Sequence, residues 1–170
     1  MLCFDLRQLE DGPIAVDGHL DADDPVWTEQ DIRPRGAVHL TGRLSSAGGG
    51  RYYFSGAFEG SAAGECRLCL SPLEFAVSDT AQLVFAEPGD EEVLDDPDVF
   101  LLDSRAGELD LRPAVREQWL LAAPVYVQCR EDCRGICPDC GADLNAGDCN
   151  CPPSIDGRWD ALRAPRDSHV

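Results

Sequence analysis

Eight of the nine cysteines in this chain of 170 residues fall at spacings that suit metal ligation. Cys66-Arg67-Leu68-Cys69 and Cys137-Pro138-Asp139-Cys140-Gly141 each place two thiols across a tight turn, which offers two sulfurs to one ion and aims backbone amides at them. The most economical grouping joins Cys137 and Cys140 with Cys149 and Cys151, the short loop carrying Asn145 and Gly147 closing the site and Gly141 supplying the positive φ that the turn needs. Cys66, Cys69, Cys129 and Cys133 then form a second quartet. Four thiolates in a closed set point to structural zinc, so two zinc ions are expected. Iron–sulfur ligation uses the same donors. Cys129 and Cys133 have the alternative of standing as reduced thiols.

Other thiol chemistry fits less well. A redox role for the Cys66/Cys69 pair calls for a helix N-terminus in a βαβ setting, whereas Pro72 and a β-patterned run follow it. Cys133, Cys137 and Cys140 have the spacing of a radical cluster loop, but the 30 residues after Cys140 are too few for the barrel such enzymes build. Cys3 reads as a small residue of the first strand, and His19, His39 and His169 as scattered surface residues.

The elements that must position these cysteines belong to an α+β chain with an antiparallel β-sheet body, one main helix and a C-terminal zinc-ribbon-like cysteine module. Leu2, Phe4 and Leu6 at period two predict a first strand, followed by a loop from Glu10 to Asp31 anchored by Val26 and Trp27. Val38, Leu40 and Leu44, then Tyr52, Phe54 and Phe58, alternate with polar residues on either side of Gly48-Gly49-Gly50, which predicts a hairpin. Leu73, Phe75, Val77, Ala81, Leu83 and Phe85 predict one or two more strands, with Asp79 breaking the pattern. An acidic stretch from Glu87 to Asp110 surrounds Val99–Leu102, where a short strand or turn is expected. Asp110-Leu111-Arg112-Pro113 opens a helix carrying Val115, Trp119 and Ala122 on one face and stopping at Pro124. The expected units are a body over 1–128, a cysteine module over 129–153 and a flexible tail over 154–170.

Composition restricts function. The chain carries 32 acidic residues against 14 basic ones, a formal charge of −18, and contains no Lys, which removes Schiff-base and phosphate-loop lysine schemes. No run of about 18 apolar residues is present and the first residues lack a secretory pattern, so a cytoplasmic protein is expected, where cysteines serve as ligands more readily than as disulfides.

CRLCLSPLEF from Cys66 to Phe75, GELDLRPAVREQWLLAAPV from Gly107 to Val125 and CREDCRGICPDCGADLNAGDCNC from Cys129 to Cys151 together resemble the YceD family of large ribosomal RNA subunit accumulation proteins. The resemblance covers roughly residues 60–151. It implies a non-enzymatic factor, with no small-molecule substrate and no membrane partner, needed for 23S rRNA accumulation and large-subunit biogenesis. The implied partners are 23S rRNA or a pre-50S particle, or else a basic ribosomal protein, which an acidic body favours. A thiol-based redox protein using the CxxC pair is the alternative. For an RNA contact the candidates are Arg33, Arg35, Arg43 and Arg51, where acidic residues are scarce, and Arg67, Arg130 and Arg134 beside the cysteines. Tyr52 or Tyr53, facing outward, would add base stacking. The competing reading pairs these arginines with nearby acids.

Overall fold

The computed structural model describes residues 2–88, 98–103 and 107–152. The elements in chain order are β1 (Cys3–Asp5), α1 (Leu6–Glu10), β2 (Ile14–Leu20), β3 (Val38–Gly48), β4 (Arg51–Glu65), β5 (Pro72–Ala86), β6 (Val99–Leu101), β7 (Glu108–Asp110) and α2 (Arg112–Ala122). Strands β2-β3-β4-β5-β6 form one sheet, antiparallel through β5 and parallel between β5 and β6, while β1 and β7 pair separately.

The hairpin reading holds: β3 and β4 turn at Gly48–Arg51, and Val38, Leu40, Leu44, Tyr52, Phe54 and Phe58 are all buried. The run from Leu73 to Phe85 is a single strand of 15 residues, paired along its whole length with β4. Asp79 falls opposite Phe58 and is exposed, beyond the point where β6 covers β5.

Two local readings are corrected. Leu6 opens helix α1 instead of extending the first strand, because the Asp5 carboxylate accepts the amide of Arg7 and caps the turn. The stretch read as a loop from Glu10 contains β2, whose buried positions Val16, Gly18 and Leu20 alternate with Ala15, Asp17 and His19. Gly18 and Asp17 diluted the apolar signal, and pairing with β3 supplied what local propensity lacked.

Helix α2 covers the inner face of the sheet with Ala114, Val115 and Trp119 buried. Asp110 accepts the amide of Arg112 and grips its guanidinium from two residues before the first helical position, while Leu111, not Asp110, occupies the N-cap. Trp119 donates from its indole to the carbonyl of Ile32 and meets Trp27 edge-on, which seats the 21–35 loop against the helix. Asp31, whose side chain is only 4% exposed, takes both Nε and Nη2 of Arg116 at 2.6 and 2.7 Å. Arg116 holds the Asp31 carboxyl well below the usual carboxylate range, against the opposing pull of burial.

The acidic residues from Asp90 to Asp96, His169, and the tail with Trp159 lie outside the described residues. Among the described residues, no helix is long and apolar enough to cross a membrane.

Candidate metal centres

The β4–β5 connection is itself the first knuckle. Glu65 and Pro72 are the last paired residues, and the turn between them carries Cys66 and Cys69. The amide of Leu70 donates to the carbonyl of Cys66 at 2.8 Å and the amide of Cys66 to the carbonyl of Ser71 at 2.9 Å. The second knuckle repeats this: Gly141 donates to the Cys137 carbonyl at 2.9 Å and Cys137 to the Ala142 carbonyl at 2.8 Å. In both turns the residue after the second cysteine is left-handed, Gly141 at φ +73° and Leu70 at +59°. Glycine takes that conformation without cost, whereas a leucine there costs about 1–2 kcal/mol.

The other two ligands of the first quartet arrive on the chain leaving α2. Val127 bridges Cys66 in parallel and accepts the Arg67 amide at 2.8 Å, which delivers Cys129 and Cys133 to the knuckle. The sulfurs of Cys66 and Cys133 are 3.8 Å apart and those of Cys69 and Cys129 3.7 Å. Tetrahedral zinc with sulfur ligands at about 2.3 Å requires sulfur separations of about 3.8 Å. Within each quartet, Cys66/Cys69/Cys129/Cys133 and Cys137/Cys140/Cys149/Cys151, all four sulfurs lie within 4.8 Å of one another. These are the two groups expected from spacing, and the donor sets fit a divalent, thiolate-seeking ion.

Local electrostatics prepare both sets. Burial opposes ionisation of Cys66, yet the amides of Cys129, Cys69 and Leu68 turned toward its sulfur bring the thiol down to about 6. The amides of Cys140 and Asp139 bring Cys137 down to about 7. Burial and the neighbouring thiols of Cys133 and Cys66 push Cys129 up to about 12, and Cys140 does the same to Cys151. The Ser71 hydroxyl and amide lower Cys69 as well, so each quartet combines thiols readied for ionisation with one held protonated, and an entering cation displaces the remaining protons.

The two centres are mechanically joined. The amide of Ile136 donates to the Leu68 carbonyl at 3.0 Å, and Gly135, at φ +75°, passes so close that a side-chain carbon there would meet that carbonyl at 2.9 Å. Asn145, in the loop of the second quartet, donates to the Cys133 sulfur at 3.6 Å while its carbonyl oxygen accepts from the Arg134 amide and the Arg130 guanidinium. The sequence marked Asn145 only as a loop residue; its link to the first quartet follows from a fold-back that spacing does not encode. In the arm formed by residues 129–152, the β pairing among the described residues is the bridge Ile136↔Asp143.

The candidate RNA-contact arginines do not form one patch. Arg51 lies at the β3–β4 turn and Arg43 in the middle of β3 opposite Ser55, while Arg35 binds its amide to the Ser61 carbonyl toward the far end of β4. Ten residues of strand between Arg51 and Ser61 separate these ends by about 33 Å. Arg33 donates to the carbonyls of Trp27 and Thr28. Arg35 pairs with Glu74, Arg130 with Asp132 and Arg134 with Asp148, and Arg67 is exposed beside the first knuckle. Tyr52 is buried with its hydroxyl on Glu87, and Tyr53 is on the outer face. The histidines read as scattered include a pair: His19 and His39 are direct cross-strand partners, stacked with ring centres 4.7 Å apart.

Uncharacterized proteins of Mycobacterium bovis and of Mycobacterium tuberculosis are 33% identical to the chain over 102 residues. That stretch is 58% of this chain and 48% of each relative, so the chain spans about half the length of the curated relatives it matches. No solved structure matches it. Residues 54–164, which contain both knuckles and all eight clustered cysteines, match the profile of the large ribosomal RNA subunit accumulation protein YceD. The chain therefore belongs to the YceD family.

Proposed function

We propose that this protein is a non-enzymatic assembly factor needed for accumulation of 23S rRNA, held in its working shape by two zinc ions in a zinc-ribbon-like arm. The observation that carries the reading is the coincidence of the family match over 54–164 with two converged cysteine quartets. Four thiols and no open ligand position make each site structural in kind, suited to holding a shape and not to activating water. Its chemistry is that of a clasp. Zinc in the first quartet ties the arm to the sheet, and zinc in the second closes an arm that has little apolar core of its own.

The partner is 23S rRNA, a pre-50S particle or a ribosomal protein. A formal charge of −18 favours the protein, because basic ribosomal proteins are attracted over distances at which RNA phosphates are repelled. The reading is tested by depleting the protein in its native host and measuring the ratio of 23S to 16S rRNA. A fall that the wild-type chain restores is expected, together with weaker restoration by Cys66→Ser. An unchanged ratio contradicts the reading.

A further inference from the structure

The outer face of the sheet carries chemistry that the metal centres do not use. Strand register lines up three rows across it: His19, His39, Glu59 and Ser78; Asp17, Thr41, Ala57 and Thr80; Ala15, Arg43, Ser55 and Gln82. Between the first two rows lies a cavity of about 420 Å³ bordered by His39, Thr41, Ala57, Glu59, Ser78 and Thr80. A second hollow of about 390 Å³ shares His39, Glu59 and Ser78 and continues past Gly60 and Ala76. The two form one groove along the strands. From Thr80 to Ala76 it spans four residues of β5, about 13 Å, the length of a short extended peptide.

Small and hydroxyl-bearing side chains make up much of the groove, and His39, Glu59 and Asp79 are its titratable members. His39 donates from Nε2 to the Asp17 carboxylate at 2.8 Å and stands 3.8 Å from Glu59. Two carboxylates therefore face one imidazole, and Glu59 keeps most of its carboxylate in solvent. Among the described residues, no arginine lines either hollow; Arg43, one row further on, bounds the groove. The lining holds no arginine for a phosphate, and the His39 imidazole, which Asp17 and Glu59 favour as a cation, is already hydrogen-bonded to Asp17 and stacked on His19.

We propose that this groove receives an extended basic segment of a partner protein, its main chain along the Ser78/Thr80 hydroxyls and one of its arginine or lysine side chains on Glu59. The inference rests on the assembly-factor reading and names the surface through which a basic partner is held. The charge of −18 draws such a segment in from a distance, and Glu59 fixes its register. RNA is disfavoured here by the same charge and by the lack of free cations in the lining.

The test uses the full chain, a fluorescein-labelled peptide of alternating Arg and Ala, and an oligouridine strand, followed by anisotropy and by amide shifts. The Arg/Ala peptide is expected to bind and to shift amides at Thr41, Glu59, Ser78 and Thr80. Glu59→Arg should weaken it about tenfold or more, while Glu29→Arg, an equal charge change in the loop clamped to α2, should change it less than about twofold. Equal losses in both variants would show attraction to bulk charge and overturn the groove, as would shifts from oligouridine at the same amides. Glu59→Arg leaves both quartets untouched. Unaltered 23S rRNA accumulation in that variant, alongside lost peptide binding, would overturn the groove's role and leave the assembly-factor reading standing; wild-type peptide binding in a protein whose depletion spares 23S rRNA would do the reverse.

Discussion

The two cysteine quartets share a knuckle and differ in what they connect. The first joins residues 60 and 67 positions apart, bringing the β4–β5 turn to the chain that leaves α2. The second closes within the stretch from Cys137 to Cys151 and rests on the first through Ile136, Gly135 and Asn145. Identical sets of four thiols are therefore placed for unlike jobs: the first links the sheet to the chain that leaves α2, and the second closes locally. A knuckle inherits its role from where its partners come from along the chain.

The largest effect that would break this comparison is expected at Cys66. Cys66→Ser should release the whole arm, lowering hydrogen-exchange protection over 129–151 by about 100-fold or more, roughly 2.7 kcal/mol, with the sheet still folded. Cys140→Ser should free only the part beyond Gly135 and leave the first centre loaded. If the two variants lose the same amides, the hierarchy is wrong.

A change in the body should spare both centres. Asp31→Ala removes the carboxylate from Arg116 and should cost about 3 kcal/mol in global stability, read from urea unfolding, with metal content unchanged. The same pair gives a pH signature. Because the folded carboxyl titrates below its unfolded value, its stabilisation is present above about pH 4 and fades as the pH falls further, a slope that Asp31→Ala should flatten.

Cysteine acidity is a trait the quartets share. Cys66 is brought to about 6 and Cys137 to about 7, both below an ordinary thiol, so thiolate stabilisation is present at high pH and is lost as pH falls through those values. Both centres are therefore expected to release zinc on acidification, measured with a chromogenic chelator. The smallest effect concerns the matched turns. Gly141→Leu should cost about 1–2 kcal/mol in the arm, while Leu70→Gly should cost nothing or stabilise slightly.

Much of the site was legible in the sequence because ligand spacing is local. CxxC followed by a left-handed residue encodes a knuckle, and eight cysteines divide into two closed sets in few sensible ways. The β3–β4 hairpin and α2 were legible for the same reason, through period two around three glycines and period 3.6 after Asp110-Leu111-Arg112-Pro113. What escaped was long-range. β2 is a strand because β3 pairs with it, Asn145 reaches Cys133 because the arm folds back, and His19 meets His39 because a register sets them opposite. The proposed arginines lie apart for a related reason: Arg51 opens β4 while Arg35 binds Ser61 toward its other end, and Arg35, Arg130 and Arg134 pair with Glu74, Asp132 and Asp148.

The central claim is that each quartet holds one zinc ion, and the most direct measurement is metal content of the natively purified chain by elemental mass spectrometry, alongside alkylation of accessible thiols. Two zinc ions per chain with Cys3 as the one reactive thiol, the other eight yielding only after a chelator is added, is the predicted result. Iron in place of zinc, a single ion, or rapid alkylation of Cys66 and Cys69 in the untreated protein would contradict it.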